Sequence, residues 1–145
     1  MRFVKITIIS NETPEKYNLN EMLKWFGASL GLFSIRDKDS SCFRIFITLI
    51  NDLKQGSKGL SSDEMALLTG LSRGTVVFHL NKLIESGLVI NADNKYFLKV
   101  NNLHELVEEV ETNVLRTLQS LKQTANKLDK HLGLQWNYHL KKKEQ

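Results

Sequence analysis

The chain has one cysteine, one proline and no long apolar run, and each scarcity removes a class of protein. With Cys42 alone, no intrachain disulfide and no cysteine-rich metal site can form. No stretch reaches the roughly 18 apolar residues that a membrane helix needs, so no membrane partner is expected. The N-terminus "MRFVKITIIS" lacks a small-residue cleavage site, which points to an intracellular, cytoplasmic chain. The glycines of "KQGSKG" (54–59) do not have phosphate-loop spacing. No nucleophile–base pair stands at usable spacing, so an enzyme is not expected and no cofactor is implied.

Excess charge of one sign is also scarce where it would be most telling. The net charge of +4 and pI near 9.2 hint at nucleic acid. Residues 61–102, however, hold four Lys/Arg and four Asp/Glu and are neutral. The surplus lies in residues 1–60 (nine against six) and 133–145 (three against one), with a deficit in 103–132 (four against five). Tight phosphate binding by the central segment alone would therefore be unexpected.

What is present is an ordered series of elements. "MRFVKITII" alternates, with Phe3, Lys5 and Thr7 on one side and Val4, Ile6 and Ile8 on the other, and predicts a strand ended near Pro14. A helix is expected from about Asn20 to Leu32, capped by Asn18 with Glu21 as partner, with Leu19, Leu23, Phe26 and Leu30 as its apolar face. Gly27 and Gly31 within it suggest close packing or fraying. Asp37 and Asp39 are cap candidates for a second helix, about Ser40 to Leu53, apolar on more than one face and so buried on two sides.

Residues 60–100 carry the most information. Ser61 and Glu64 form a capping box for a short helix, Ser62 to Thr69. Gly70 stands where a left-handed residue ends it. Ser72 caps the next helix, Arg73 to Glu85. "LVI" (88–90) and "KYFLKV" (95–100) around "NADN" (91–94) predict a hairpin. Ala66, Gly70 and Val76 supply the small residue, the sharp turn and the filler that two crossing helices need. Met65, Leu68, Leu71, Leu80, Leu83 and Ile84 are expected to complete a small core. Helix, tight turn, helix and hairpin in this order make a winged helix.

The last element is expected from Leu103 to His131. Leu103, Val107, Val110 and Val114 form one heptad-type seam. Val114, Leu118, Leu121, Ala125, Leu128 and Leu132 form a second, with a stutter at Val114. A narrow seam over this length suits a helix pair. The fold expected is mainly α with a small β-hairpin: a winged helix-turn-helix with a long C-terminal dimerisation helix. By parts, 1–35 is a strand and helix of unknown role, 36–102 the winged helix-turn-helix, 103–132 the dimerisation helix and 133–145 an aromatic and basic tail. That tail, with Trp136, Tyr138, Leu140 and Lys141–Lys143, suits docking on a partner subunit, or contact with DNA or a membrane surface.

The stretch "SSDEMALLTGLSRGTVVFHLNKLIESGLV" (61–89) resembles the arsenic-repressor-like (ArsR) and MarR-type winged-helix transcription regulators. The family pattern has a Ser/Thr-Val pair, a His-Leu pair, then a Leu and a Gly-Leu-Val ending. Thr75-Val76, His79-Leu80, Leu83 and Gly87-Leu88-Val89 stand at those places. The resemblance implies a homodimer on double-stranded DNA, with helix 72–86 in the major groove and the wing, 88–100, on the backbone. The implied DNA-binding residues are Ser62, Ser72, Arg73, Gly74, Thr75, Val77, Phe78, Asn81, Lys82, Asn94 and Lys95. The implied dimerisation residues are Leu103, Val107, Val110, Val114, Leu118, Leu121 and Leu128.

Several of these have blander readings. Ser72 to Thr75 place backbone N–H groups at a helix N-terminus, suited to phosphate or base edges. Asn81 suits an adenine, and Lys82 a phosphate or a guanine. Arg73 is either a contact or a solvated charge. Val77 meets a thymine methyl or packs internally. Phe78 packs on the wing or on a partner chain, which opens the alternative of a protein-interaction winged helix using the Val77/Phe78 surface. His79 reads as a core-edge residue and Cys42 as core. The family's metal sensors use paired cysteines or sets of His and carboxylates. Here His104, Glu105, Glu108 and Glu111 read as a solvated acidic face favoured by the helix dipole. His131 and His139, on either side of Gly133, could meet across a dimer, but no metal is expected.

Overall fold

A computed structural model describes residues 7–10, 12–13, 18–34 and 40–134 of the chain. Its elements are helices α1 (Leu19–Ser29), α2 (Ser41–Lys54), α3 (Ser62–Thr69) and α4 (Arg73–Glu85), strands β1 (Val89–Ala92) and β2 (Lys95–Leu98), and helix α5 (Leu103–Leu132). The protein is mainly helical, with one two-stranded antiparallel hairpin and a long C-terminal helix. It divides into two compact units, Met1–Val110 and Glu111–Gln145.

In the first unit α2 is the central helix. It is buried on two sides, as its distribution of apolar residues requires, and packs against α3, α4 and β2. Ile45, Phe46 and Leu49 are sealed from solvent. Phe33 stands edge-on to Phe43 at 5.5 Å and tilted against Phe46 at 6.1 Å. A Cβ on Gly27 would lie 2.2 Å from the Phe33 ring, so Gly27 gives that ring its place. The Arg44 guanidinium donates to the Thr69 carbonyl at 2.8 Å, tying α2 to the last turn of α3.

Two polar contacts fix the approach to the hairpin. Buried Asp52 accepts from the Gly59 N–H at 3.0 Å. Gly59 is left-handed (φ +83°), and an added Cβ would fall 2.5 Å from the Phe97 ring. Leu60 then pairs with Tyr96 in both directions, at 3.1 and 2.8 Å, and so adds a one-residue third strand to the hairpin. Val89 faces Leu98 and Ala92 faces Lys95. Asp93 and Asn94 both have positive φ, +53° and +61°, the left-handed pair that a two-residue hairpin turn demands. The turn is thus two residues, not the four of "NADN": Asn91 and Ala92 belong to β1.

Other expectations are corrected. The predicted strand falls largely on residues 1–6, outside the described residues, and its described end, Thr7–Ser10, is not strand. There the Ile9 N–H donates to the Ser29 carbonyl at 2.8 Å, beside the end of α1. Helix α1 stops at Ser29, not Leu32, because Gly31 turns left-handed (φ +71°). Asn18 caps it as expected. Of the expected face Leu19 is exposed while Leu23, Phe26 and Leu30 are half-buried, and the fully buried residues are Gly27 and Ala28. Asp37 and Asp39 lie outside the described residues, and Ser40 is the N-cap of α2. Leu68 is exposed, while Leu71 and Ile84 are half-buried. Thr69 is the buried neighbour of Met65 instead, one helical turn on, with its hydroxyl donating to the Met65 carbonyl at 2.7 Å.

The first unit reaches into α5, past the boundary expected at 102, because Leu106 and Val110 are buried. Leu106 was not in the expected seam, and Val107, which was, is 44% exposed. Asn102 caps this helix, accepting from the Glu105 N–H at 2.7 Å, and Glu105 accepts in return from the Asn101 N–H at 3.2 Å.

The described part of the second unit is the rest of α5 and the two residues after it. Every residue from Leu115 to Leu134 is exposed. Gly133 (φ +69°) ends the helix, and the Leu134 N–H closes onto the Asp129 carbonyl at 2.9 Å.

Candidate nucleic-acid interface

Helix α4 has one buried face and one open face. Val76, Leu80 and Leu83 are buried, spaced four and three apart as one side of a helix. The other side presents Arg73, Gly74, Phe78, Asn81 and Lys82, all exposed, with Val77 half-buried at its edge. The Ser72 hydroxyl caps the helix, accepting from the Thr75 N–H at 3.2 Å while donating to the Thr75 hydroxyl at 2.9 Å. No atom would stand within 4 Å of a Cβ on Gly74. The absence of that side chain therefore leaves open backbone in the first turn, where N–H groups have no helical acceptor.

The capping box of α3 forms in both directions, Ser61 with Glu64. Gly70 takes φ +72° and donates its N–H to the Ala66 carbonyl at 3.0 Å. This turn brings Ser62 and Arg73 together: the Arg73 Nε donates to the Ser62 hydroxyl at 3.2 Å. It also stands 3.4 Å from the Asp63 carboxylate, with both side chains well exposed. Asp63 was not a sequence candidate. Its only signal was the acid expected in a first helical turn, and its effect is to offset the charge of Arg73.

Phe78 is 56% exposed. The Lys82 ammonium lies 4.4 Å from its ring centroid, and His79 meets it edge-on at 5.3 Å. The ring holds the cation on the open face of α4. At the hairpin tip Asn94 and Lys95 are exposed. Sequence reasoning also missed Leu67, which is 86% exposed on α3.

Among the described residues no group of three or more His, Cys, Asp or Glu is placed to hold a metal. His104 and Glu108 form an exposed pair at 3.0 Å, and His139 lies outside the described residues. Cys42 is buried, its thiol 3.4 Å from the Leu32 carbonyl. Among the described residues no helix is long and apolar enough to cross a membrane.

The dimerisation candidates separate. Val110 is buried within its own unit, and Leu103 and Val114 are half-buried. Val107, Leu118, Leu121 and Leu128 are exposed, joined by Leu115 and Leu132. Comparison with family models, characterised proteins and solved structures finds no match to this chain.

Proposed function

We propose that this chain is a sequence-specific DNA-binding transcription regulator that acts as a homodimer and is built as a winged helix-turn-helix. In this reading α4 is the recognition helix in the major groove, and the hairpin of β1 and β2 is the wing on the backbone. The observation that carries it is the open face of α4: a capped first turn with bare backbone at Gly74, then Asn81 and Lys82, on a helix whose other face is core. The left-handed turn at Gly70 and the two-residue hairpin support it. Ser72 and Thr75 serve the helix start, Asn81 reads a base edge and Lys82 meets a phosphate or a guanine. Ser62 positions Arg73. Asn94 and Lys95 touch the backbone, and Val77 and Phe78 give apolar contact. It is a binding protein, not an enzyme, and works in the cytoplasm.

A mobility shift of the full chain on genomic fragments, repeated across salt concentrations, tests this. Retarded bands that weaken with salt are expected. No retardation at low salt would overturn the reading.

The exposure of Phe78 favours one second reading, a protein-interaction module using the Val77/Phe78 surface. Phe78→Ser separates the two. Altered sequence preference belongs to DNA reading, whereas a lost protein partner with unchanged DNA affinity belongs to the second.

A further inference from the structure

Helix α5 has an open apolar seam and a strong charge asymmetry, and together they point to one way of pairing. Val107, Val114, Leu121 and Leu128 recur every seven residues, interleaved with Leu118, Ala125 and Leu132. Val114 is half-buried, and the other six are exposed. Such a repeat on a continuous helix is the pattern that a second helix covers. Leu103–Asn113 carries Glu105, Glu108, Glu109 and Glu111 with no Lys or Arg, four carboxylates and no cation, hence −4. Val114–Leu132 carries Arg116, Lys122, Lys127 and Lys130 against Asp129, four cations and one carboxylate, hence +3. The dipole of the helix itself favours this order of charge only within its first and last turns. Glu108 to Glu111 and Arg116 to Lys122 lie beyond them.

We propose that two copies of the chain pair through α5 in antiparallel orientation, with the acidic half of each helix beside the basic half of the other. This rests on the homodimer part of the reading above and adds its orientation. A parallel pair sets every residue beside its own copy. Glu111, which occupies a seam position, would then face Glu111 in the partner, with Glu105, Glu108 and Glu109 doubled around it. Like charges in a helix interface oppose pairing. In the antiparallel pair Val107 meets Leu132, Val114 meets Ala125 and Leu118 meets Leu121. Glu111 meets Leu128 near the end of the seam, one residue from Lys127. Each layer joins unlike seam positions, as a two-fold axis across the helices requires.

The test uses the full chain. Sedimentation first establishes whether it is a dimer. Spin labels are then placed at Gln119→Cys and, separately, at Lys130→Cys, in a Cys42→Ala background. The two-fold centre falls between Leu118 and Leu121, so labels at 119 lie close together. Labels at 130 lie about 32 Å apart along the axis, at 1.5 Å per residue. A short distance at 119 and a long one at 130 is the expected result. A dimer with short distances at both sites overturns the orientation and leaves the homodimer standing. A monomer overturns both, while DNA binding is still decided by the mobility shift. Should Cys42→Ala unfold the chain, disulfide formation in the native background serves instead. Val107→Cys mixed with Leu132→Cys links only as a mixed pair if antiparallel, whereas each links to itself if parallel.

Discussion

The core leucines of the first unit and the leucines of the second meet opposite fates, although Leu19, Leu67 and Leu68 of the first unit are exposed as well. In the first unit Leu49, Leu80, Leu83 and Leu106 are sealed in a core built around α2. In the second, Leu118, Leu121, Leu128 and Leu132 are all exposed, Leu121 at 59%. Residue type does not separate these sets; available neighbours do. The first unit folds helices and a hairpin over its apolar faces. From Leu115 to Leu132 the described chain offers only one helix, and one helix cannot cover its own stripe. Among the described residues the first unit holds a sealed core, and the second presents an open apolar stripe.

The largest effect that would break this contrast is in the core. Phe46→Ala should cost the first unit about 3–5 kcal/mol, because it empties a site closed on every side. Urea unfolding followed by circular dichroism measures it. Leu121→Ala should leave that unit's stability within about 0.5 kcal/mol, because the residue lies outside that unit's core. The contrast between sealed and open apolar sites would fail if both substitutions cost the same. Leu121→Asp sharpens the point from the other side. It should weaken self-association by roughly tenfold or more, since a charge would replace a seam contact of about 1.4 kcal/mol. Sedimentation equilibrium reads that shift directly.

Smaller effects follow from the two glycines whose surroundings differ most. Gly27→Ala should destabilise by about 1–3 kcal/mol, because the Phe33 ring must move. Gly74→Ala meets nothing and should stabilise α4 by about 0.5–1 kcal/mol. If DNA backbone approaches there, the same change should lower DNA affinity, so thermal melting and a mobility shift would move in opposite directions. Smallest of all, Asp63→Asn should alter stability by no more than about 0.5 kcal/mol, as the ion pair is exposed. It should nevertheless raise DNA affinity and steepen the salt dependence by about one counterion, because it releases the charge of Arg73.

Local chemistry made much of the first unit legible in advance. The Ser61–Glu64 box, the cap at Ser72 and the left-handed Gly70 are short-range devices, and all three form. The spacing of Val76, Leu80 and Leu83 gave the buried face of α4 correctly. What failed depended on neighbours distant in sequence. Leu68 and Thr69 exchange roles because α3 turns the Met65 face inward. Leu106 and Val107 exchange roles because the first unit reaches into α5. The pairing of Leu60 with Tyr96 joins residues 36 positions apart, which no local signal announces. At the candidate interface the open residues were legible from helical spacing. The hold of Asp63 on Arg73 and of Phe78 on Lys82 was not, since both depend on side-chain reach.

The most direct measurement is selection of DNA sequences by the full chain from a random pool, followed by the same selection with Asn81→Ala. If α4 reads the major groove, the native chain should enrich a two-fold-related motif, and the variant should lose one defined base preference within it. If the native chain enriches no motif, even at low salt, α4 is not a recognition helix.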